Sequence, residues 1–294
     1  LGLDLAILVD PMSDAEKGTA LDWPAPEAGD SAEVYARYAE IYDELFEDTA
    51  PDATFYLARA RELLKPADFV LELGSGTGRV TSRLIESGFS VTGVDASGPM
   101  LSRAARRLAS FGSRYEPVCA DVRTMTLPRR YKLAIAPFGM VAHLLTDEDR
   151  VAAFRRVFEH LEPGGLFVFD DMPSWLAIAR GEPISDGTAL EAIKNGVDPR
   201  TKERVRLMIN AFDAADVPCT VRYDIIDWLD GVRVSRRKIV RVVFRNTEVK
   251  DELAFLEKAG FTETTLLGGF DARPFEPTEL SKNQRFVVTA RKAS

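Results

Sequence analysis

The chain has 294 residues, enough for one large domain or two small ones and for a core that needs neither disulfides nor metals. Hydrophobic residues make up 46% and charged residues 29%, which excludes wholesale disorder and a fibrous repeat. Lys plus Arg total 38 and Asp plus Glu 46, so the formal charge of −8 argues against gripping nucleic acid by bulk charge.

Two cysteines, Cys119 and Cys219, give neither a disulfide framework nor a zinc spacing, and they suit a reducing cytoplasm. Two histidines, His143 and His160, cannot build a histidine-rich metal centre, and no metal is expected. No apolar run approaches the roughly 18 residues of a membrane span, so no membrane partner is expected. The apolar start Leu1 to Val9 is interrupted by Asp4 and follows no basic segment, so it fails as a signal peptide. Met12 is a candidate start, with residues 1–11 an upstream remnant. Residues 1–30, rich in Ala, Pro, Gly and acid, read as a disordered tail.

From Ser31 an amphipathic helix is expected, with Val34, Tyr38, Ile41 and Leu45 near helical spacing. Tyr35 and Tyr42, seven apart, share one face of it. A second helix runs from Asp52 to Leu64. The period then changes. Phe69 to Leu73 is a short apolar strand ending in Gly74-Ser-Gly-Thr-Gly78, and helical spacing resumes through Val80, Leu84 and Ile85 to Gly88. Strands follow at Ser90 to Val94, Tyr115 to Cys119, Lys132 to Ala136 and Leu166 to Asp170. Helices lie between them at Pro99 to Leu108 and Asp147 to Leu161, the latter with Thr146 as N-cap.

This alternation predicts an α/β fold, a Rossmann-like doubly wound parallel sheet covered by helices. Ligands in such sheets bind at the carboxyl ends of the strands. Gly74 to Gly78, Asp95, Asp121 and Pro137-Phe138 all follow strand ends and should converge on one crevice.

Residues 172–246 break the pattern. Trp175 to Ala192 reads as a loop with a short helix. Arg204 to Asp213, Thr220 to Leu229 and Val232 to Phe244 alternate like antiparallel strands, with Asp230-Gly231 a tight-hairpin signal. The core resumes with helix Glu248 to Ala259, strand Thr262 to Leu267 and strand Arg285 to Ala290. The expected division is therefore a tail over 1–30, cap helices and cofactor core over 31–171, an antiparallel insertion on the acceptor side over 172–246, and the rest of the core over 247–294.

The glycine loop serves two cofactor classes. Dinucleotide enzymes use G-x-G-x-x-G, but here the sixth position is Arg79, which weakens that reading. Glu72, just before the loop, suits a cationic amino group. Asp95 lies 21 residues after Gly74, where an acid accepts both ribose hydroxyls of either cofactor.

The ordered series E-x-G-x-G-x-G, G-V-D-x-S-x-x-M-L, A-D-V and L-x-P-G-G resembles the class I S-adenosylmethionine-dependent methyltransferases over residues 31–171 and 247–291. The resemblance implies S-adenosylmethionine as cofactor and a small-molecule acceptor. It places Gly74, Ser75 and Gly76 along the methionine and ribose, and Glu72 on the amino group. Asp95, followed by Ala96, takes the ribose hydroxyls. Met100 covers one face of the adenine, Asp121 and the Val122 amide take its edge, and Pro137 and Phe138 lie beside the methionine portion. Taken singly, Met100 reads as core filler and Asp121 as a turn cap.

Within that class the chain is most similar to the sugar N-methyltransferases of deoxyaminosugar pathways. That similarity implies Tyr35 and Tyr42 on a cap closing over cofactor and acceptor, and His143 facing the acceptor. The catalytic candidates are thus His143 and Tyr42. His143 also reads as a structural histidine, and Tyr38 as packing. The basic run Val232 to Arg241 reads either as a clamp for an anionic acceptor or as cross-strand partners of Asp224, Asp227 and Asp230, the second being favoured. Trp175 and Trp228 either line an acceptor pocket or pack the added sheet. Nitrogen or oxygen methylation is expected, and a homodimer is one assembly open to the chain. Three alternatives stand beside this: an NAD-dependent oxidoreductase, a non-catalytic methyltransferase-like module, and a nucleic-acid methyltransferase.

Overall fold

Two short helices, Ser31–Tyr38 (α1) and Tyr42–Phe46 (α2), replace the single helix expected from Ser31 onward. At the link the Glu40 carbonyl accepts from Arg103, on a neighbouring helix, at 2.7 Å. The computed structural model describes residues 31–46, 52–171, 191–213, 219–245, 247–276 and 285–294. The expected tail, Trp175 and the loop expected before 191 lie outside these residues.

Asp52–Leu63 (α3) leads into Phe69–Leu73 (β1), then Arg79–Glu86 (α4), Ser90–Asp95 (β2), Gly98–Arg107 (α5), Tyr115–Cys119 (β3) and Tyr131–Ala136 (β4). Asp147–His160 (α6) follows, its first turn capped by Thr146, whose side chain accepts from the Asp149 amide at 3.1 Å. Leu161–Asp171 (β5) begins five residues before the strand expected from Leu166. Leu161 pairs with Tyr131, and the Pro163-Gly-Gly165 turn sits inside the strand as an irregularity before Leu166 meets Leu133.

Four strands then run antiparallel: Glu191–Val197 (β6), Arg204–Asp213 (β7), Cys219–Asp230 (β8) and Arg233–Arg245 (β9). β6 is additional to the three expected. Its alternation is spoiled by a register shift between Ala192 and Lys194 and by Gly196, which has no side chain to mark a face. The hairpin turns on Gly231 and Val232, with Asp230 paired to Arg233. Val249–Ala259 (α7), Glu263–Leu267 (β10) and Phe286–Arg291 (β11) complete the chain.

The large sheet has the order β10-β11-β5-β4-β1-β2-β3. β1 to β5 are parallel, and β11 lies antiparallel to both β5 and β10. β1 is apolar on both faces because it sits mid-sheet, and it pairs with β2 on one side and β4 on the other. The strand order reverses there, so the ends of β1 and β4 open the crevice typical of such folds. The cap packs Tyr38, Ile41 and Leu45 against Leu207, Ile226, Val242 and Phe244 of the antiparallel sheet. Burying each such aliphatic side chain is worth about 1.5–3 kcal/mol. The cap thus roofs the crevice while the second sheet walls it.

Candidate active site

The glycine loop is built for close approach. Gly74 and Gly76 have φ of +65° and +55°, and a Cβ at Gly74 would lie 2.4 Å from Met140 Cγ. Gly93, in β2, leaves room for Ser75, whose Oγ would be 2.8 Å from a Cβ there. Gly76 donates to Asp95 Oδ2 and Ser97 to Oδ1, each at 2.8 Å. Burial raises the Asp95 carboxyl above its ordinary pKa, and these two amides oppose it. Met100 lies against the loop, with its Cε 3.4 Å from where a Gly76 Cβ would be.

Glu72 is buried and accepts from Thr81 Oγ1 at 2.6 Å. Burial pushes its carboxyl up to about 8. A cation brought beside it would return it to the ionised form. The Ser97 hydroxyl is buried and has no hydrogen-bond partner among the described residues. A carboxylate with spare lone pairs, an orphaned hydroxyl and bared loop backbone fit a ribose diol, and Glu72 fits an ammonium. The residues present therefore suit S-adenosylmethionine.

Glu72, Gly74, Ser75, Gly76, Asp95, Ala96 and Met100 come together at the ends of β1 and β2. Asp121 and Val122 follow β3. The Asp121 carboxylate accepts from the Arg123 amide at 2.8 Å and from its guanidinium at 2.5 Å, and this partner holds it below the usual carboxylate range.

Phe138 follows β4 with a φ of +65°. The buried Asp170 carboxylate holds it there, accepting from the Phe138 amide at 2.8 Å and the Gly139 amide at 3.0 Å. Tyr56 and Arg285 also donate to Asp170, at 2.6 and 2.5 Å. Arg79 and Arg285 each set a guanidinium about 5 Å from the Phe138 ring. Arg79 also grips buried Asp52 bidentately, at 2.6 Å for each bond. The sixth position of the glycine loop is thus an anchor for α3 rather than a gap for a pyrophosphate.

Under the cap, Tyr35 Oη lies 2.8 Å from His143 Nε2. The His143 ring also hydrogen-bonds the Val243 backbone and packs 4.9 Å from Phe244. The Val243 contact favours the protonated ring, so a ring N–H donates to that carbonyl. Burial, with Arg222 and Arg150 nearby, lowers His143 to about 3. Tyr42 stands 6.1 Å from the Tyr35 ring and 4.9 Å from that of Phe46. Burial pushes its phenol up to about 12, with Arg79 opposing. Tyr35 and Tyr42 thus meet from two helices, not along one.

Sequence reasoning passed over the buried pair Arg222 and Asp224. Arg222 meets Asp224 at 2.7 and 2.8 Å and lies 4.7 Å over Phe244, and Tyr38 donates to the same carboxylate. Two opposite charges two apart on the core-facing side of a strand were the available signal. The basic run resolves as cross-strand pairing at Arg237, which meets Asp227 at 2.7 and 2.9 Å. Trp228 is buried, donates to Asp198 at 2.7 Å and carries Arg236 3.8 Å over its ring, so it packs the second sheet. His160 is structural: Nε2 accepts from the Leu127 amide at 2.9 Å, and Nδ1 lies 2.6 Å from the Arg156 carbonyl.

Residues 70–165 match the family model described as a methyltransferase domain. The chain is 31% identical over 141 residues to the putative methyltransferase YqeM of Bacillus subtilis (strain 168), covering 47% of this chain and 55% of that protein. The chain thus spans about half the length of that relative. It is 27% identical over 241 residues to the dTDP-3-amino-3,4,6-trideoxy-alpha-D-glucopyranose N,N-dimethyltransferase of Streptomyces venezuelae, covering 80% of this chain and 94% of that one. Its fold matches the solved CcbJ methyltransferase of Streptomyces caelestis with a TM-score of 0.71 at 23% identity, over 89% of this chain and 98% of that one.

The fold is that of the class I S-adenosylmethionine-dependent methyltransferases. Residues 70–165, which match a methyltransferase domain, are roofed by α1 and α2 and walled by an added antiparallel sheet.

Proposed function

We propose that the chain transfers a methyl group from S-adenosylmethionine to the amino nitrogen of a small molecule, with an amino sugar as the acceptor class. The observation that carries the nitrogen assignment is His143. With a pKa of about 3 and Nε2 already engaged by Tyr35, it is a poor proton acceptor at neutral pH. A hydroxyl acceptor must lose its proton during attack, whereas a neutral amine arrives with its own lone pair. The Streptomyces venezuelae relative, named for N,N-dimethylation of an amino sugar, supports the same choice.

When bound, S-adenosylmethionine supplies an electrophilic methyl group on a sulfonium, which a nucleophile displaces in line. Glu72 and Asp95 would hold its amino and ribose ends, Met100 one adenine face, and Asp121 and Val122 the adenine edge. Pro137 and Phe138 would fix the methionine portion. Tyr35, Tyr42 and His143 would orient the acceptor and exclude water, and orientation of this kind removes about 7–11 kcal/mol of barrier. The same reading puts the reaction in a reducing cytoplasm, which the free thiols of Cys119 and Cys219 support. No helix among the described residues is long and apolar enough to cross a membrane.

The test is turnover of S-adenosylmethionine against matched amino-sugar and hydroxy-sugar nucleotides, read by mass. A gain of one or two methyl groups on the amine alone is expected. Methylation of the hydroxyl partner alone would overturn the nitrogen assignment. Calorimetry showing NAD binding in place of S-adenosylmethionine would overturn the class of reaction.

A further inference from the structure

Asp43, the second residue of α2, is placed between the two halves of the site. Its carboxylate accepts from Thr77 Oγ1 at 2.5 Å, in the middle of the glycine loop. It also accepts from Arg103 Nε at 2.7 Å and lies 3.4 Å from an Arg107 nitrogen, both on α5. α5 is the helix that carries Met100 against the loop. Arg103 further holds the Glu40 carbonyl of the α1–α2 link. The neighbours of Asp43 in α2 face the other way. Tyr42 meets Tyr35, and Phe46 lies 6.5 Å from Phe138.

One carboxylate thus ties the acceptor roof to both walls of the cofactor cleft. A first-turn acid would stabilise α2 simply by facing its amide groups. Asp43 instead directs its hydrogen bonds outward, to the loop and to α5. The pair with Arg103 is largely withdrawn from water, 13% and 22% exposed, so it is less screened than a surface pair.

We propose that Asp43 is a positioning residue through which the cofactor assembles the acceptor roof. A cofactor seated on the glycine loop and under Met100 fixes Thr77 and Arg103. Through Asp43 they then steady the docked α2 and hold Tyr42 and Tyr35 over the crevice. Two consequences follow: the cofactor binds before the acceptor, and by linkage the docked roof tightens the cofactor. This rests on the cofactor reading above.

The test uses the full chain and S-adenosylhomocysteine as probe. Calorimetry first establishes that the wild type binds it; failure there overturns the cofactor reading, and this proposal with it. Hydrogen exchange of amides 35–46 is then followed with and without the probe. In the wild type, exchange should slow by at least about fivefold, the low end of ordinary coupling between sites. In Asp43→Asn, which keeps the side-chain size and a first-turn acceptor, the probe should still bind but the slowing should vanish. Arg103→Gln, on the far side of the contact, should show the same loss, and the double variant should lose no more than either. Exchange in β1 and β4 should be alike in all four proteins, which separates lost docking from lost folding. Equal slowing in wild type and Asp43→Asn, or no slowing in a wild type that binds the probe, would overturn the proposal.

Discussion

Tyr35 Oη and His143 Nε2 share a hydrogen bond of 2.8 Å, joining the first cap helix to the loop after β4. The bond explains why a histidine at the acceptor wall need not be a base. Its free nitrogen is spent on the cap, and burial keeps the ring neutral. His143→Asn should therefore lower turnover by less than about tenfold, against the roughly 10²–10⁴ expected for loss of a general base. A thousandfold loss with unchanged acceptor binding would favour an oxygen acceptor.

The same histidine fixes a pH dependence. Its folded pKa of about 3 lies below the ordinary 6.5, so between those values the unfolded chain holds more protons. Stability from this group is full above pH 6.5 and falls as the pH drops toward 3. Denaturant midpoints should therefore decline less steeply over that window in His143→Asn than in the wild type. The pH–rate profile should show no limb near 6.5.

Glu72 acts with the opposite sign. Its folded pKa of about 8 lies above the usual 4.5, so the folded protein holds the extra proton and stability falls as pH rises between them. Glu72→Gln should remove that fall. If a cofactor ammonium settles beside Glu72, binding should release a proton near pH 7. Calorimetry in two buffers of different ionisation enthalpy reads that proton directly, and a net uptake would contradict the placement.

Asp95→Ala should weaken both S-adenosylmethionine and its demethylated product. Each hydrogen bond lost to a charged group is worth about 1.5–3 kcal/mol, or about 10–150-fold in Kd. The variant also leaves the Gly76 and Ser97 amides without their present partner. Unchanged affinity by calorimetry would remove Asp95 from the cofactor site.

In the second sheet, buried Asp227 joins Arg206 at 2.9 Å and Arg237 at 2.7 Å. Burial works against its charge, but these two donors hold it below the usual carboxylate range. Asp227→Ala should destabilise by about 1–3 kcal/mol, because it removes charged hydrogen bonds to two Arg side chains that water still reaches. Arg237→Ala should cost less, because Arg237 is partly exposed and Arg206 stays. Urea unfolding midpoints rank the two, and the reverse order would contradict this account.

The sequence by itself determined the parallel core and its crevice. Apolar strands, a glycine loop and acids at strand ends are local patterns, and each follows from chain period and backbone freedom within a few residues. β1, β3 and the cap of α6 lie where those patterns put them. Tertiary structure decided what depends on contacts between distant segments. Helical spacing from Ser31 could not show that the Glu40 carbonyl, at the link between two helices, binds Arg103, 63 residues away. Nor could it show that Asp170 bends the loop at Phe138, or that Asp43 reaches Thr77. A register shift and Gly196 hid β6, because its partner β7 supplies its register. The protonation of His143 belongs to the same class. An imidazole's charge is set by the water it loses and the cations it faces, and both were fixed only when β8, β9 and the cap closed around it.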